Sequence, residues 1–343
     1  MTDSTAVFRE KRRARSDEGE TMSSVAPVRD LVLPQLYCPD PADERNLPHV
    51  DSLGATVLRW FHERDLLTSE AEIDEYTRAQ FADLTARVCP QGKGERLEAV
   101  MIWFTLAFRM DDLILDTTDD PVRRIADAVP KYLRVVDDPH APLTTSDPLL
   151  RAFRDFQLLM RDLCTANQWF RLADGWQGYF LASLWKAVHV ESGRQPSPSD
   201  YTFFRAEDSA LMLVWHILEV GADIDLPQQE FITGTVRSLA RMAANIGSWL
   251  NDIYSYPKEI LQPNRPSLSL PTVLAEHHQL THQGAIDAAA RLHDEETRKF
   301  MALADEVALT ASPQTIAYVS MMRHCIRGNY DWERLSGRYT GWA

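Results

Sequence analysis

Residues 94–116 read "GERLEAVMIWFTLAFRMDDLILD", a long apolar run that ends in carboxylates. Apolar residues recur in this run at intervals of three and four, which predicts an α-helix packed into a core. The helix macrodipole disfavours acidic side chains at a helix C-terminus. The carboxylates therefore need an explanation: either they face water, or a cation sits among them.

The spacing of the acids gives the cation interpretation a geometry. On a helix, positions four apart lie on one face, about 6 Å from each other. Asp112 and Asp116 form such a pair, and the same row runs back through Phe108 and Phe104. Asp111 lies about 100° round the helix and borders that face. Because Mg²⁺ takes oxygen ligands and is typically held by one or two carboxylates plus substrate phosphates, the pattern is typical of a hard-cation site.

The same helical periodicity extends over most of the chain. It occurs in residues 52–66, 69–88, 94–117, 121–137, 148–165, 168–193, 199–222, 227–256, 283–308 and 312–337. No alternating strand pattern is paired with a tight turn, and residues 257–282 read as a loop with one short helix. The polar, aperiodic residues 1–28 predict a disordered tail. The sequence thus predicts one all-α domain of about ten or more helices over residues 29–343.

The composition narrows the class of protein. With 36 basic and 50 acidic residues the formal net charge is −14, which argues against a nucleic-acid or anionic-membrane surface. The four cysteines are widely separated and show neither a zinc spacing nor a disulfide framework. No apolar run reaches the roughly 18 residues of a membrane span, and the first residues are too charged for a signal peptide. We therefore expect a soluble cytoplasmic protein.

Residues 249–260, "WLNDIYSYPKEI", contain a second row of oxygen donors. Asn251, Ser255 and Glu259 are spaced four and four, so a helix places an amide, a hydroxyl and a carboxylate on one face. Pro257 within the row predicts a kink or distortion before Glu259. Taken alone, the row is either an ordinary polar helix face or the second half of a metal site.

Together the two rows resemble the motifs of the class I terpene synthases (terpene cyclases) of bacterial and fungal type. In that family an Asp-rich motif and an Asn-x3-Ser-x3-Glu triad on facing helices hold three Mg²⁺ around a prenyl diphosphate. The resemblance implies the class I terpenoid synthase fold, an all-α single-domain bundle around a central apolar cavity, with Mn²⁺ as an alternative metal. The metal ligands that it implies are Asp111, Asp112, Asp116, Asn251, Ser255 and Glu259.

The resemblance also implies a set of diphosphate-binding residues. Arg205 lies 251 − 205 = 46 residues before Asn251, the interval at which the family has its diphosphate-sensing arginine. Asp208 follows where the family has a linking Asp, and Ser209 stands where the family often has Gly. The full set is Arg205, Asp208, Ser209, Lys258, Arg338 and Tyr339. Without the resemblance, a surface ion pair of Arg205 with Glu207 or Asp208 is the plainer interpretation.

Aromatic side chains are the candidates for the cavity wall, because their faces stabilise a carbocation by about 0.5–2 kcal/mol each when desolvated. The candidates are Phe104, Phe108, Trp215 and Trp332. Trp332 lies six residues before Arg338, as a tryptophan often does in the family. Each of the four is alternatively an ordinary core residue, and for Trp215 the core is the favoured interpretation.

The resemblance implies a terpene cyclase, a lyase that ionises a linear prenyl diphosphate with Mg²⁺, cyclises the cation and releases diphosphate. Arg205, Arg338 and Tyr339 are the residues implied to act in catalysis, on the leaving diphosphate. Farnesyl diphosphate (C15), which gives sesquiterpenes, is the first expectation, and geranylgeranyl diphosphate (C20), which gives diterpenes, is the second. Two hypotheses compete with a cyclase. One is a chain-elongating prenyltransferase, a class whose members resemble one another in carrying two Asp-rich motifs, whereas the second motif here is Asn-Ser-Glu. The other is a non-catalytic helical scaffold. The expected partner is the small-molecule substrate, with no nucleic acid, and the expected assembly is a monomer or homodimer.

Overall fold

The residues that the computed structural model describes are 31–115, 120–261 and 268–338. At Leu115 only the main chain is described. The predicted metal ligand Asp116, the predicted diphosphate ligand Tyr339 and the predicted tail at residues 1–28 therefore lie outside the described residues. The predicted start of the domain at residue 29 lies outside them too.

Helices make up the regular structure of the described residues, which contain no β-strand. After a 3₁₀ turn at Leu47–His49 they are α1 (Val50–His62), α2 (Glu70–Ala79), α3 (Phe81–Val88), α4 (Gly94–Met110), α5 (Pro121–Asp137), α6 (Pro148–Leu163), α7 (Ala166–Ser192), α8 (Pro198–Asp208), α9 (Leu211–Gly221), α10 (Gln228–Phe231), α11 (Gly234–Ile260), α12 (Leu270–His278), α13 (His282–Thr310) and α14 (Pro313–Leu335). A π-helical turn at Asp111–Leu115 continues α4. The prediction of an all-α fold is confirmed. In the part of the chain described here, no helix has the length and apolar character needed to cross a bilayer.

Three segments that the periodicity predicts as single helices are broken in the structure, and residues 227–256 are one of them, divided into α10 and α11 at residues 232–233. The other two break at single residues. Residues 69–88 divide into α2 and α3 at Gln80, and residues 199–222 divide into α8 and α9 at Ala210. Both break residues have a left-handed backbone, with φ of 56° and 59°. This conformation interrupts helical hydrogen bonding and is uncommon for residues other than glycine. Apolar spacing carries no information about such a turn, so the sequence prediction runs through it.

Side-chain caps determine where several helices begin. In front of α2, Ser69 Oγ accepts from the backbone N–H of Glu72, whose carboxylate accepts in return from the Ser69 N–H. Thr165 and Gln168 form the same reciprocal cap in front of α7. Each such cap contributes about 1 kcal/mol to stability. Local sequence thereby fixes the start of α7, the helix that brings Tyr179 to the site described below.

Helix α11 spans both apolar clusters of the core. Its first half joins the large cluster through residues such as Leu239 and Ile246. Its second half joins a smaller cluster through Leu250 and Ile253. The helix packs against α13 and α14. Because the second half carries the predicted Asn-Ser-Glu triad, the smaller cluster fixes the direction in which the triad faces.

Candidate active site

A cavity of about 680 Å³ lies among α2, α3, α4, α7, α8, α9, α11 and α14. Its lining brings together residues that are far apart in the sequence. The predicted site residues among them are Phe104, Phe108, Asp111, Asp112, Arg205, Asp208, Ser209, Asn251, Ser255, Lys258, Glu259, Trp332 and Arg338. The two oxygen-donor rows of the sequence therefore face one space.

Trp215 is an exception, and its prediction as a cavity residue is wrong. Its ring is 1% exposed, does not line the cavity, and donates from Nε1 to the backbone oxygen of Ala240 at 3.0 Å. On α9 the lining residues are Leu211 and Val214. One residue further along, a helix has turned by about 100°. That turn directs Trp215 into the core against α11.

The end of α4 and the π-turn form the acidic wall of the cavity. Tyr179 donates its hydroxyl to Asp111 Oδ1 at 3.1 Å, and Tyr76 donates to Asp112 Oδ2 at 3.1 Å. Burial raises the pKa of Tyr76 above its ordinary range, which keeps this phenol protonated as a donor. Arg338 Nη2 lies 3.4 Å from Asp112 Oδ1. Because phenols are neutral, the two tyrosines orient the carboxylates without adding positive charge to this wall.

The π-turn changes the predicted row of carboxylates. The prediction extends α-helical geometry through Asp116, which places Asp112 and Asp116 on one face. In the structure the α-helix ends at Met110, and Asp111–Leu115 form a wider turn with hydrogen bonds between residues five apart. The predicted row therefore has α-helical geometry from Phe104 to Phe108, whereas Asp112 lies in the wider turn. Single π-turns inside helices frequently occur at functional sites.

Arg205 links α8 to α11. Its Nε donates to Asp252 Oδ1 at 2.9 Å, its Nη1 to Asp208 Oδ2 at 3.0 Å and its Nη2 to Asn251 Oδ1 at 3.1 Å. Burial acts to lower the pKa of Arg205, but the neighbouring negative charges, Asp252 above all, keep it well above its ordinary value. The plainer interpretation, an ion pair with Asp208, is thus correct as a contact. The pair lies in the cavity wall and not on the outer surface.

Asp252 holds this network together, and sequence reasoning missed it. Its side chain is 2% exposed and accepts from Tyr201 Oη at 2.6 Å and from the Leu270 N–H at 3.0 Å, beside Arg205. The sequence feature that could have identified Asp252 is its position directly after Asn251. Adjacent helix positions differ by about 100°, so Asp252 turns away from the donor row and towards α8.

The predicted triad lies on one face of α11. Ser255 Oγ donates to Glu259 Oε1 at 2.6 Å. Pro257 lies inside the helix, which continues to Ile260, so this bond is kept across the proline. Lys258 lines the same cavity. The triad therefore brings amide, hydroxyl and carboxylate side chains to the same cavity as the acidic wall.

Glu333 of α14 is a further carboxyl in the cavity wall that belongs to neither motif. Its side chain is 2% exposed, and Oε1 accepts from Asn329 Nδ2 at 3.2 Å and from Asn251 Nδ2 at 3.4 Å. Burial raises the pKa of Glu333 to about 8. Its one sequence signal is its place directly after Trp332. No spacing rule connects it to Asn251, because the two residues are 82 positions apart.

The end of α14 is held against the junction between α2 and α3. Trp332 Nε1 donates to the backbone oxygen of Ala79 at 2.8 Å, and Ser336 Oγ donates to the same oxygen at 3.0 Å. The Gly337 N–H donates to the backbone oxygen of Arg78 at 3.2 Å. These three donors fix the position of the chain directly before Arg338.

Aromatic rings form the wall next to Arg338. Phe108 stacks on Phe81 with ring centroids 4.7 Å apart, and its centroid lies 5.9 Å from that of Trp332. The guanidinium carbon of Arg338 lies 4.6 Å from the Phe108 centroid, a cation–π distance. Phe104 lines the same space one turn earlier on α4. The predicted cavity residues Phe104, Phe108 and Trp332 thus all line the cavity.

The set of donor atoms fits a hard cation. Asp111 and Asp112 present carboxylate oxygens on one wall, and α11 presents three kinds of oxygen on the other, which suits Mg²⁺. Among the described residues, no group of three or more His, Cys, Asp or Glu side chains forms a metal site. The predicted set differs from such a group because it includes Asn and Ser, and because Asp116 lies outside the described residues. The assignment of these residues as ligands stays a prediction.

Comparison with known proteins points in the same direction as the geometry. Residues 102–299 match the family model described as terpene synthase family 2, C-terminal metal binding. The chain is 26% identical over 312 residues to a 4-epi-cubebol synthase ((2E,6E)-farnesyl diphosphate cyclizing) of Streptosporangium roseum, covering 91% of this chain and 93% of the relative. It is 28% identical over 297 residues to a (+)-T-muurolol synthase ((2E,6E)-farnesyl diphosphate cyclizing) of Roseiflexus castenholzii, covering 85% of this chain and 90% of the relative.

A solved structure shares the fold. The 2-methylisoborneol synthase of Streptomyces coelicolor A3(2), crystallised with Mg²⁺ and 2-fluoroneryl diphosphate, superposes with a TM-score of 0.78 at 20% identity. The match covers 93% of this chain and 98% of that one. Because the family model spans more than half of the sequence, the chain belongs to the terpene synthase family and is a class I terpene cyclase, a carbon–oxygen lyase that acts on diphosphates.

Proposed function

We propose that this enzyme ionises farnesyl diphosphate in an Mg²⁺-dependent reaction and cyclises the resulting cation to a sesquiterpene. The observation that supports this best is the cavity, where both oxygen-donor rows, Arg205, Arg338 and an aromatic wall meet within about 680 Å³. The relatives from Streptosporangium roseum and Roseiflexus castenholzii, which are named as farnesyl diphosphate cyclizing, support the choice of substrate.

The metal-binding part of the proposal assigns oxygen ligands on both walls. The proposed ligands are Asp111, Asp112, Asp116, Asn251, Ser255 and Glu259. Three Mg²⁺ are expected, with Mn²⁺ as an alternative. Bound Mg²⁺ supplies Lewis-acid stabilisation of the diphosphate leaving group. Tyr76 and Tyr179 orient the two aspartates, as outer hydrogen-bond partners do in other metal sites.

The diphosphate-binding part of the proposal rests mainly on three cations that line the cavity, Arg205, Lys258 and Arg338. The proposed residues are Arg205, Asp208, Ser209, Lys258, Arg338 and Tyr339. A guanidinium meets two phosphate oxygens at once, which suits Arg205 and Arg338 to this task. Asp208 acts by orienting Arg205 through its 3.0 Å contact. Ser209 offers its backbone carbonyl beside the same arginine.

The aromatic wall protects the carbocation that ionisation produces. Phe104, Phe108 and Trp332 line the cavity and offer no nucleophile, and exclusion of water from a reacting site protects a cation that forms there. Each ring face adds about 0.5–2 kcal/mol of cation stabilisation when it is desolvated. The guanidinium carbon of Arg338 lies 4.6 Å from the Phe108 ring centroid, which supports the proposal that the aromatic wall adjoins the diphosphate-binding residues.

The second candidate substrate is geranylgeranyl diphosphate, which gives a diterpene. Ala107 lines the cavity beside Phe108, and its small side chain leaves room where a larger one would fill the space. A chain-elongating prenyltransferase requires isopentenyl diphosphate as a second substrate, whereas a cyclase does not. Location in the cytoplasm, a domain over residues 29–343, and a monomeric or homodimeric state remain further proposals.

The test is product analysis by gas chromatography–mass spectrometry with each prenyl diphosphate in turn, with Mg²⁺ and with chelator. A chelator-sensitive cyclic product from farnesyl diphosphate is the expected result, and a cyclic product from geranylgeranyl diphosphate alone would select the second candidate. Consumption of labelled isopentenyl diphosphate would indicate chain elongation. No Mg²⁺-dependent release of diphosphate from any of these substrates would contradict the proposal.

A further inference from the structure

Glu333 is a buried carboxyl in the cavity wall to which neither sequence motif gives a role. It lies on α14, and its Oε1 faces the amides of Asn251 on α11 and Asn329 on its own helix. Its Oε2 is buried without a hydrogen-bond partner among the described residues. A carboxyl left partly unsatisfied in this way costs stability. Its presence is therefore better explained by what it does to Asn251 than by a contribution to folding.

An asparagine amide has a donor end and an acceptor end, and its two neighbours decide which way it points. Arg205 Nη2 can only donate, and it lies 3.1 Å from Asn251 Oδ1. On the other side of the amide, Glu333 Oε1 already accepts from Asn329 and lies 3.4 Å from Asn251 Nδ2. A flipped amide would place two acceptors together at Glu333 and two donors together at Arg205. The pair of neighbours thus selects one orientation of the amide.

We propose that Glu333 is a positioning residue that holds the Asn251 amide with its Oδ1 available as a cation ligand. The inference rests on the proposed function, because it assigns Asn251 to the metal site. Outer hydrogen-bond partners of this kind typically change metal affinity by about 10- to 100-fold when they are removed. Glu333 does this from a third helix, so the metal site depends on α14 as well as on α4 and α11.

The chain contains a matched control for this contact. On the same helix α11, Asn245 Nδ2 donates to Glu296 Oε1 at 3.0 Å. Asn245 and Glu296 do not line the cavity. The two Asn–Glu contacts are alike in chemistry and differ in position relative to the cavity.

The experiment measures binding of inorganic diphosphate by isothermal titration calorimetry, with Mg²⁺ and with chelator. We expect Glu333→Leu to weaken the Mg²⁺-dependent binding by about 10- to 100-fold. Glu333→Gln keeps an acceptor oxygen in the same place and is expected to stay within about threefold of the unmodified protein. Glu296→Leu is expected to bind as the unmodified protein does. Circular dichroism melts without metal report on the folding of each variant.

The outcomes separate this inference from the proposed function. Unmodified protein that fails to bind diphosphate with Mg²⁺ would contradict the proposed function. Unmodified protein that binds, together with a folded Glu333→Leu variant that binds equally well, would contradict the positioning role alone. Equal losses in Glu333→Leu and Glu333→Gln would also contradict it, since glutamine supplies the acceptor oxygen. If Glu333→Leu does not fold, normal binding by Glu333→Gln supports the inference and weakened binding contradicts it.

Discussion

The two walls of the cavity are held in different ways. On the acidic wall, Asp111 and Asp112 accept hydrogen bonds from neutral phenols, and the ion pair with Arg338 is long, at 3.4 Å. On the α11 wall, which α11 forms together with Arg205 of α8, Arg205 is buried and closely paired with Asp252 at 2.8 Å. The Arg205–Asp252 pair thus balances charge on the second wall before any ligand arrives, whereas the proposed metal ions would supply the missing positive charge on the first. The difference teaches that a site built on shared motifs can have one wall made by folding and another completed by the ligand.

Removal of Arg205 is the strongest way to test this difference. Breaking a buried ion pair by deleting one partner typically costs about 3–5 kcal/mol, because the other charge is left buried and unpaired. We expect Arg205→Ala to lower the free energy of unfolding by this amount, measured by urea denaturation. Arg338→Ala, which removes a partly exposed pair, should cost only about 0–1 kcal/mol. Equal losses for the two variants would remove the distinction between the walls.

Substitution of Asp112 should do the reverse, with a large effect on rate and a small one on folding. Loss of one group that stabilises developing charge typically lowers the rate by about 10²–10³-fold. We expect a loss of this size for Asp112→Asn in the rate of diphosphate release with saturating Mg²⁺. The melting temperature without metal should stay close to that of the unmodified protein, since asparagine keeps the acceptor for Tyr76. Unchanged turnover would contradict the role of Asp112.

The free energy of unfolding as a function of pH tests the core behind the two walls, because a buried histidine lies there. His216 on α9 is buried, and burial lowers its pKa from 6.5 to about 3. Since folding favours the neutral ring, its contribution to stability is complete above pH 6.5 and is lost as the pH falls towards 3. Relative to a His216→Phe variant, the unmodified protein should lose about 1.4 kcal/mol of unfolding free energy per pH unit within that window. A pH-independent difference between the two proteins would contradict this assignment.

The smallest expected effect concerns the phenols of the acidic wall. Tyr76→Phe and Tyr179→Phe remove the hydroxyls that orient the aspartates, while the rings keep their packing. We expect the affinity for Mg²⁺, measured by activity as a function of metal concentration, to fall by about tenfold for each variant. A Tyr201→Phe variant provides the comparison on the α11 wall, where the hydroxyl supports Asp252. There the loss should appear as about 1 kcal/mol of stability.

The sequence predicted the parts of the site that repeat at helical spacing. The rows at Asp111 and Asn251 were predicted from helical spacing and the arginines at 205 and 338 from the family resemblance, and the structure brings them to one cavity. What it did not predict depends on contacts between distant elements. Glu333, for example, meets Asn251 across 82 positions. No local pattern records such a pairing, because it arises only when α14 packs against α11.

The backbone breaks were unpredictable for a different reason. Gln80 and Ala210 have positive φ without being glycine, so local preference argues against the turn that packing imposes. Trp215 was misplaced because the sequence around an aromatic residue does not show whether its ring faces the core or the cavity. The direction of Trp215 depends on the rotation of α9 about its axis, and the packing of α9 against α7, α4 and α11 fixes that rotation.

The position of Arg338 also has a consequence for tolerance to insertion and deletion. The donors that hold the chain before Arg338 belong to Trp332, Ser336 and Gly337. Every acceptor is a main-chain oxygen, and these oxygens belong to Arg78, Ala79 and Gln80. Side-chain exchanges at those three acceptor positions leave the acceptors in place. A single residue added or removed between α2 and α3 moves all of them together. In variant libraries, this junction should therefore tolerate a change of side chain better than a change of length.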